Sequence, residues 1–173
     1  MNRAAIDVRI ERVAAIDDEL RGEIERWTDA QFGHIRYVWA PSEWYAIARV
    51  DGRLAGTLTL VTREVAAGRE RVRVAGIGNV VTKPECRLRG VASAMMRAAS
   101  DLMRTTLEVE FGMLICLREV APVYEKAGWI RVEGPTEFSQ PKGRATYPHD
   151  TMILKLTARA WPDGPIDLCG LPW

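Results

Sequence analysis

The segment NVVTKPECRLRGVASAMM, residues 79–96, restricts the fold more than any other part of the chain. It continues the run RVRVAGIGNVVT, residues 71–82, whose alternating apolar residues predict a strand. From residue 91 onwards, apolar residues recur every three or four positions, which is the spacing of one helix face; they are Val91, Met95, Ala98 and Leu102. A short basic turn joins the two elements. The segment therefore predicts a strand that leads almost directly into a helix.

The basic turn has the composition of an anion site. The first turn of a helix presents unpaired backbone N–H groups and the positive end of the helix dipole. Here Gly90, Ala92 and Ser93 leave room for a phosphate or pyrophosphate, and Arg87 and Arg89 add positive charge. The turn lacks both the Gly-Lys-Ser ending of a P-loop and the GxGxxG pattern. The residues alone equally allow a structural turn in which the glycine permits tight packing and both arginines are solvated.

The remaining pattern predicts an α+β domain. Strands are predicted at residues 6–13, 44–50, 53–65, 71–82, 111–117, 129–134 and 151–157, and helices at residues 17–32, 91–102 and 118–128. Residues 135–149, a polar stretch with three prolines, predict a loop. The order β-α-β-β-β-α-β-α-β-β indicates a mixed, mostly antiparallel central sheet flanked by helices, within a single domain of residues 1–173.

Composition excludes several classes of function. The net charge of +1 gives no overall basic field for nucleic acid. No apolar run approaches the roughly 18 residues of a membrane span, and the charged N-terminus lacks the apolar stretch of a signal peptide. A cytoplasmic location without nucleic-acid or membrane partners is therefore expected. Cys86, Cys116 and Cys169 are odd in number and lack paired spacing, which predicts neither a disulfide framework nor a zinc site.

In this context the basic turn resembles a known signature. Residues 87–92, RLRGVA, resemble the Q/R-x-x-G-x-G/A motif of the GNAT superfamily, the acyl-coenzyme-A-dependent N-acyltransferases. The order of elements from about Ile6 to Thr157 is similar to that superfamily as well. The resemblance implies a GNAT-like fold and acetyl-coenzyme A as co-substrate, with no metal. It also implies direct attack of an amine on the thioester, and homodimers are common among such relatives.

The resemblance assigns roles to individual residues. The amides of the turn would bind the pyrophosphate of the coenzyme, at Arg87, Leu88, Arg89, Gly90, Val91, Ala92 and Ser93. The pantetheine arm would pair like an added strand along Val80, Val81 and Thr82, where this strand splays from the next one. Tyr124, on the helix after the fifth strand, would protonate the leaving thiolate. The alternative is that Tyr124 is a packed aromatic residue.

The sequence leaves the general base open. Many members of the superfamily carry a glutamate on the fourth strand, and the matching position here is Gly78. Asn79 can orient a water molecule and is expected to contact the acceptor. Glu119 is the nearest carboxylate in sequence to the fifth strand. His34 lies in the aromatic loop, residues 33–43, that should flank the acceptor; the alternative for His34 is a structural or solvent-facing role.

The C-terminal part resembles a narrower branch of the superfamily. YEKAGWIRVEGPTEF, residues 124–138, and IDLCGLPW, residues 166–173, are similar to the aminoglycoside acetyltransferases that modify the 2′ amine. This implies that the tail, residues 158–173, packs near the acceptor site. It also implies that Asp167 and the α-carboxylate of Trp173 face a cationic acceptor. The alternative is that the apolar residues of the tail only cover the edge of the core.

Together these features predict an N-acetyltransferase that transfers an acetyl group from acetyl-coenzyme A to a primary amine of a small molecule. The alternative is a coenzyme-A-binding regulatory module without transfer activity, because the carboxylate of the fourth strand is missing. The two functions differ in whether an amine makes the protein release free thiol from acetyl-coenzyme A. The sequence identifies neither the acceptor nor the length of the acyl group.

Overall fold

The computed structural model describes residues 5–173. Within them the strands are β1 (Ile6–Arg12), β2 (Trp44–Val50), β3 (Arg53–Ala67), β4 (Glu70–Thr82), β5 (Phe111–Cys116), β6 (Ile130–Val132), β7 (Thr136–Gln140), β8 (Gly143–Thr146), β9 (Asp150–Lys155) and β10 (Ile166–Asp167). The α-helices are α1 (Asp18–Phe32), α2 (Val91–Leu102) and α3 (Ala121–Glu125). Short 3₁₀ turns lie at Val13–Ala15 and Pro84–Cys86, and the π-helical turn Met103–Leu107 follows α2.

The strands form one sheet. Its main path runs β6-β9-β5-β4-β3-β10-β7-β8, and β2 pairs with β3 on one side and β1 on the other. The β4–β5 and β10–β7 pairs are parallel, whereas the other pairs are antiparallel. The predicted mixed, mostly antiparallel sheet with flanking helices is therefore confirmed. In residues 5–173 no helix is long and apolar enough to cross a membrane.

The first helix begins where the sequence predicts it. The side chain of Asp17 caps α1 by accepting a hydrogen bond of 2.8 Å from the backbone N–H of Leu20. The apolar side of α1 places Ile24 against Ile47 and Leu54, and all three side chains are buried. This packing fixes α1 on the sheet beside β2 and β3.

Two apolar clusters lie on opposite faces of the central strands, as the alternation of side chains along a strand requires. On one face, which we call the helix face, α2 and α3 pack against the sheet. The apolar cluster there includes Ile77, Met95, Leu114 and Cys116. The tail face carries the C-terminal segment and includes Val74, Met113, Phe138 and Trp173. The central strands β4 and β5 are therefore covered on both faces.

The structure differs from the sequence prediction mainly after α3. The predicted loop of residues 135–149 contains the hairpin of β7 and β8, and the tail contributes β10, which lies between β3 and β7. The loop prediction was wrong because Pro141 lies in the turn of this hairpin, between Gln140 and Gly143, where it interrupts no strand. Helix α3 is also shorter than the helix predicted at residues 118–128.

The tail packs on the sheet over much of its length. Arg159 forms ion pairs with Glu70 and Glu110, and the ring of Trp161 meets that of Phe111 edge-on at a centroid distance of 5.0 Å. These contacts hold the start of the tail beside β4 and β5, from where the chain continues towards β10.

Candidate functional site

The central feature of the site is a gap between β4 and β5. The two strands pair only through Val74, Ala75 and Gly76, although β4 continues to Thr82 and β5 to Cys116. Asn79 has a φ of 50°, and the pairing of β4 with β3 shifts register at this point. Such a β-bulge bends its strand. Within residues 5–173, no strand pairs with residues 77–82 on the β5 side, which leaves an open edge of β4 along the gap.

The basic turn joins this open edge to α2. Leu88 and Gly90 both adopt positive φ, of 60° and 90°, and Gly90 is the N-cap residue of α2. No side chain caps the helix, so the amides of its first turn are free of side-chain acceptors among the described residues. Arg87 lies at the start of the turn, where its Nε donates to the carbonyl oxygen of Thr82 at 3.4 Å.

A cleft of about 240 Å³ lies where the open edge, the basic turn and α3 meet. It brings together seven residues that the sequence predicts for the site, namely Val80, Val81, Thr82, Arg87, Ala92, Ser93 and Tyr124. It also includes five that sequence reasoning missed, namely Gln31, Met96, Val120, Val123 and Ala127. Of these five, Met96 could have been predicted, because it lies one helical turn after Ala92 on the same face of α2. The other residues of the turn contribute no lining side chain: Leu88 and Arg89 are exposed and Val91 is buried beneath the turn.

Tyr124 lies at the helix-face side of the cleft. Its ring meets that of Trp129 at a centroid distance of 6.2 Å. Burial raises the pKa of Tyr124 to about 12, and the nearby Cys116 and Tyr147 add to the increase. The phenol is therefore fully protonated at physiological pH. A protonated phenol that lines the cleft can donate a proton, and its raised pKa makes it a weaker acid than an ordinary tyrosine.

Cys116 was not predicted for the site, yet its thiol lies close enough to Tyr124 to affect the pKa of that residue. Burial, with a smaller contribution from Asp150, raises the pKa of Cys116 to about 11. A thiol with this pKa is almost entirely protonated near neutral pH, and the thiol form is a poor nucleophile. Its protonation disfavours a covalent intermediate on this residue.

The space in front of Gly78 is filled by Trp173. A Cβ atom at Gly78 would lie 2.8 Å from the main-chain carbonyl carbon of Trp173 and 3.3 Å from Oγ1 of Thr59. A Cβ atom at Gly76 would overlap the indole ring itself. The two glycines thus form a bare strip of β4 on which Trp173 packs. A glutamate at position 78 would displace this residue, which gives a steric reason for the missing carboxylate.

Glu119 and His34 are both exposed, and neither lines the cleft.

The structure places Asp167, which the sequence predicts to face the acceptor, well away from Gly78 along β3. Asp167 pairs with Ala66 in β3, whereas Gly78 pairs with Thr59. Seven residues separate those two positions of β3, which corresponds to roughly 20 Å along a strand. The carboxylate of Asp167 instead lies 2.9 Å from Arg144 and accepts a hydrogen bond from the backbone N–H of Cys169. The structure therefore places Trp173 at the gap but leaves Asp167 near the far end of β3, because only the last residues of the tail return to β4.

No metal centre is evident in the described part of the chain. Within residues 5–173, His, Cys, Asp and Glu side chains form no group of three or more that could hold a metal ion.

Comparison with known proteins identifies a family. The family model described as acetyltransferase (GNAT) domain matches residues 21–132, more than half of the chain. No curated protein matches the sequence. The structure is similar to that of ElaA from Escherichia coli, with a TM-score of 0.64 and 10% identity over 87% of this chain and 100% of that one. It is also similar to an acyl-CoA N-acyltransferase from Pseudomonas aeruginosa, with a TM-score of 0.61 and 18% identity over 87% and 99% of the two chains.

A further similar structure is FeeM, an N-acyl amino acid synthase from uncultured soil microbes. Its TM-score is 0.59 at 10% identity, covering 88% of this chain and 92% of that one. At these identities the structural comparisons show a shared fold. The narrower resemblance to aminoglycoside 2′-N-acetyltransferases stays a prediction.

Proposed function

Because the chain belongs to the GNAT acyltransferase family, whose members use acyl-coenzyme A, we propose that it is a cytoplasmic N-acetyltransferase that acetylates a primary amine of a small molecule. The observation that carries this proposal is one cleft that joins the open edge of β4, the uncapped start of α2 and the protonated Tyr124.

The residues present fit coenzyme A. Its pyrophosphate is an anion, and the free amides at the start of α2, with Arg87 and Arg89 beside them, suit such a group. Its pantetheine arm is extended and contains amides, so it can hydrogen-bond to the open edge at residues 80–82 as an added strand does. In this arrangement the thioester lies at the gap between β4 and β5, close to Tyr124.

The transfer needs one proton donor from the protein. The amine nitrogen forms a bond to the acetyl carbon, the bond from that carbon to sulfur breaks, and the electron pair of that bond goes to sulfur. The hydroxyl of Tyr124 supplies the proton that converts the thiolate to the free thiol, and the amine nitrogen releases one proton to water. Tyr124 is then reprotonated from solvent, so that protons balance over one cycle.

The acceptor amine reaches the thioester at the β4–β5 gap, next to the bulge at Asn79 and the end of the tail. We place Asn79 and Trp173 beside the acceptor, since the bulge at Asn79 borders the gap and Trp173 covers its tail-face side. Asn79 can orient a water molecule that accepts the proton from the amine. The aromatic loop is joined to this region by a hydrogen bond of 2.7 Å from the N–H of Ala40 to the carbonyl oxygen of Pro172.

The test is release of free thiol from acetyl-coenzyme A with a panel of aminoglycosides, polyamines, amino acids and peptide N-termini. With the best amine, we expect Tyr124→Phe to lower turnover by roughly 10²–10⁴ while the affinity for acetyl-coenzyme A stays nearly constant. Tyr147→Phe is the matched control, because it also removes a partly buried phenol of raised pKa but lies outside the cleft lining. Turnover of Tyr124→Phe within threefold of the wild type would reject the acid role.

The same experiment separates the second candidate, a coenzyme-A-binding regulatory module. The bare Gly78 favours that alternative, since no side-chain carboxylate is present there. Calorimetric binding of acetyl-coenzyme A without thiol release for any amine would support the regulatory module and contradict the proposed transfer.

A further inference from the structure

Trp173 closes the β4–β5 gap from the tail face. Gly76 is the last residue of β4 that pairs with β5, and the indole ring of Trp173 packs directly on it. The main chain of Trp173 then covers Gly78, just inside the gap. Tyr124 packs against the helix-face cluster, whereas Trp173 belongs to the tail-face cluster. The two aromatic residues thus border the gap from opposite faces of the sheet.

The ring is held in place. Only 7% of Trp173 is exposed, and the two residues before it are both fixed through their carbonyl oxygens. The carbonyl oxygen of Leu171 accepts a hydrogen bond of 2.6 Å from Arg63, and that of Pro172 accepts one from the N–H of Ala40. The guanidinium carbon of Arg63 also lies 5.5 Å from the centroid of the indole ring. Trp173 is therefore a rigid wall, since its backbone and ring are both constrained.

We propose that Trp173 limits the length of the acyl group that the protein accepts. This inference rests on the proposed function, because it assumes that the thioester enters the gap from the helix-face cleft. An acetyl group ends inside the gap, whereas a longer chain that continues in the same direction meets the main chain and indole of Trp173. The limit is set by shape, because interiors are close-packed and extra methylene groups displace their surroundings.

The indole N–H is not needed for this role. The Nε1 atom of Trp173 is buried and has no hydrogen-bond partner among the described residues. A buried donor without a partner is unfavourable, so the indole contributes volume here and no hydrogen bond to the described residues. Trp173→Phe retains most of this volume and removes the unsatisfied donor, whereas Trp173→Ala opens the wall.

The experiment compares acetyl- and octanoyl-coenzyme A by calorimetry without any amine, and then by transfer to one amine. We expect the ratio of kcat/KM for octanoyl to that for acetyl to rise at least tenfold in Trp173→Ala, about 1.4 kcal/mol of relative barrier. Octanoyl-coenzyme A should also bind more tightly to this variant, with the Kd of acetyl-coenzyme A changed by less than threefold. Trp173→Phe should keep the selectivity of the wild type.

Trp161→Ala is the matched control, because it removes a tail tryptophan that packs on Phe111 outside the cleft lining; its acyl selectivity should not change. Trp173→Leu removes part of the side-chain volume that closes the gap. It is the variant to use if Trp173→Ala does not fold. Unchanged selectivity in a folded Trp173→Ala or Trp173→Leu protein would overturn the inference, as would equal use of both donors by the wild type. If the wild-type protein bound neither acetyl- nor octanoyl-coenzyme A, the proposed function would be rejected instead.

Discussion

At the scale of single residues, Gly90 matters most for the proposed coenzyme site. Its φ of 90° places it in a region that side-chain-bearing residues rarely adopt, and it begins α2 beside the cleft. A glutamate here would add bulk and negative charge where a pyrophosphate is expected. We predict that Gly90→Glu weakens binding of acetyl-coenzyme A at least tenfold, about 1.4 kcal/mol, with the fold retained, as measured by calorimetry and circular dichroism.

The control for this prediction is Gly52→Glu. Gly52 also has a positive φ, of 75°, but lies in the β2–β3 turn with no atom near the position of a Cβ. The substitution therefore introduces the same kind of backbone strain away from the cleft, and coenzyme affinity should stay unchanged. Equal losses in the two variants would mean that strain, and not the anion site, explains the effect.

Seven residues that line the cleft were predicted from sequence, but five others and the packing of Trp173 on Gly76 were not. The turn around Gly90 follows from a local pattern, namely a strand, a basic turn and a helix, whereas Tyr124 was expected from the resemblance to the superfamily. The packing of Trp173 on Gly76 joins residues almost a hundred positions apart, and nothing local connects the two. The bulge at Asn79 had a faint signal, since asparagine tolerates a positive φ better than most residues.

At the scale of elements, the hairpin of β7 and β8 fixes the aromatic loop. The side chain of Gln140, the last residue of β7, accepts a hydrogen bond from the N–H of Val38 at 2.9 Å and donates one to its carbonyl oxygen at 3.0 Å. We predict that Gln140→Met, which keeps the length of the side chain but removes both bonds, increases amide exchange at Val38 at least tenfold. If the loop flanks the acceptor, the KM for the amine should rise while coenzyme affinity stays constant.

Ser139→Ala is the control for the loop, because the described hydrogen bonds of Ser139 use its backbone N–H and carbonyl oxygen and not its hydroxyl. Amide exchange at Val38 that is equal in the wild type and Gln140→Met would contradict the role of the glutamine.

Sequence patterns did not indicate this hairpin, because three prolines and many polar residues in residues 135–149 are typical of loops. The long central strands β3 and β4 were predictable, since their apolar runs are long and the turns between them are short.

At the scale of the whole molecule, the buried Cys116 and the partly buried Tyr124 and Tyr147 make stability sensitive to alkaline pH. Burial raises the pKa of Tyr124 and Tyr147 to about 12 each and that of Cys116 to about 11. In the unfolded chain these groups ionise near their ordinary values, about 10 for tyrosine and 8.5 for cysteine. Between those values and the folded ones the unfolded state binds fewer protons, so the free energy of unfolding falls as pH rises.

We therefore predict that the protein is at full stability, with respect to these groups, below about pH 8 and loses stability progressively from about pH 9 towards pH 12. Urea unfolding at a series of pH values measures this loss. The double variant Tyr147→Phe with Cys116→Ala should show a shallower decline above pH 9, because two of the three groups no longer titrate. An equally steep decline in this variant would assign the alkaline instability to other groups.

Arg63, in β3, connects the end of the tail to the sheet. Its guanidinium donates to the carbonyl oxygens of Leu171 at 2.6 Å and of Leu168 at 3.3 Å. Burial lowers the pKa of Arg63, which reflects the unfavourable desolvation of a cation. No carboxylate within residues 5–173 lies within ion-pair distance of it. The guanidinium of Arg63 therefore binds main-chain oxygens of the tail. These hydrogen bonds also help to position Trp173.

Arg63→Met keeps the apolar stem but removes both hydrogen bonds. We predict a loss of about 2 kcal/mol in the free energy of unfolding, since hydrogen bonds from charged groups contribute roughly 1.5–3 kcal/mol. Amide exchange at Ala40 should accelerate, because its acceptor is the carbonyl oxygen of Pro172, and selectivity for short acyl groups should weaken in the same direction as in Trp173→Ala. Arg144→Met removes an exposed arginine that bridges Glu137 and Asp167, and it should change none of these readouts appreciably. If the two variants behave alike, the tail is held by its apolar packing and Arg63 has no positioning role.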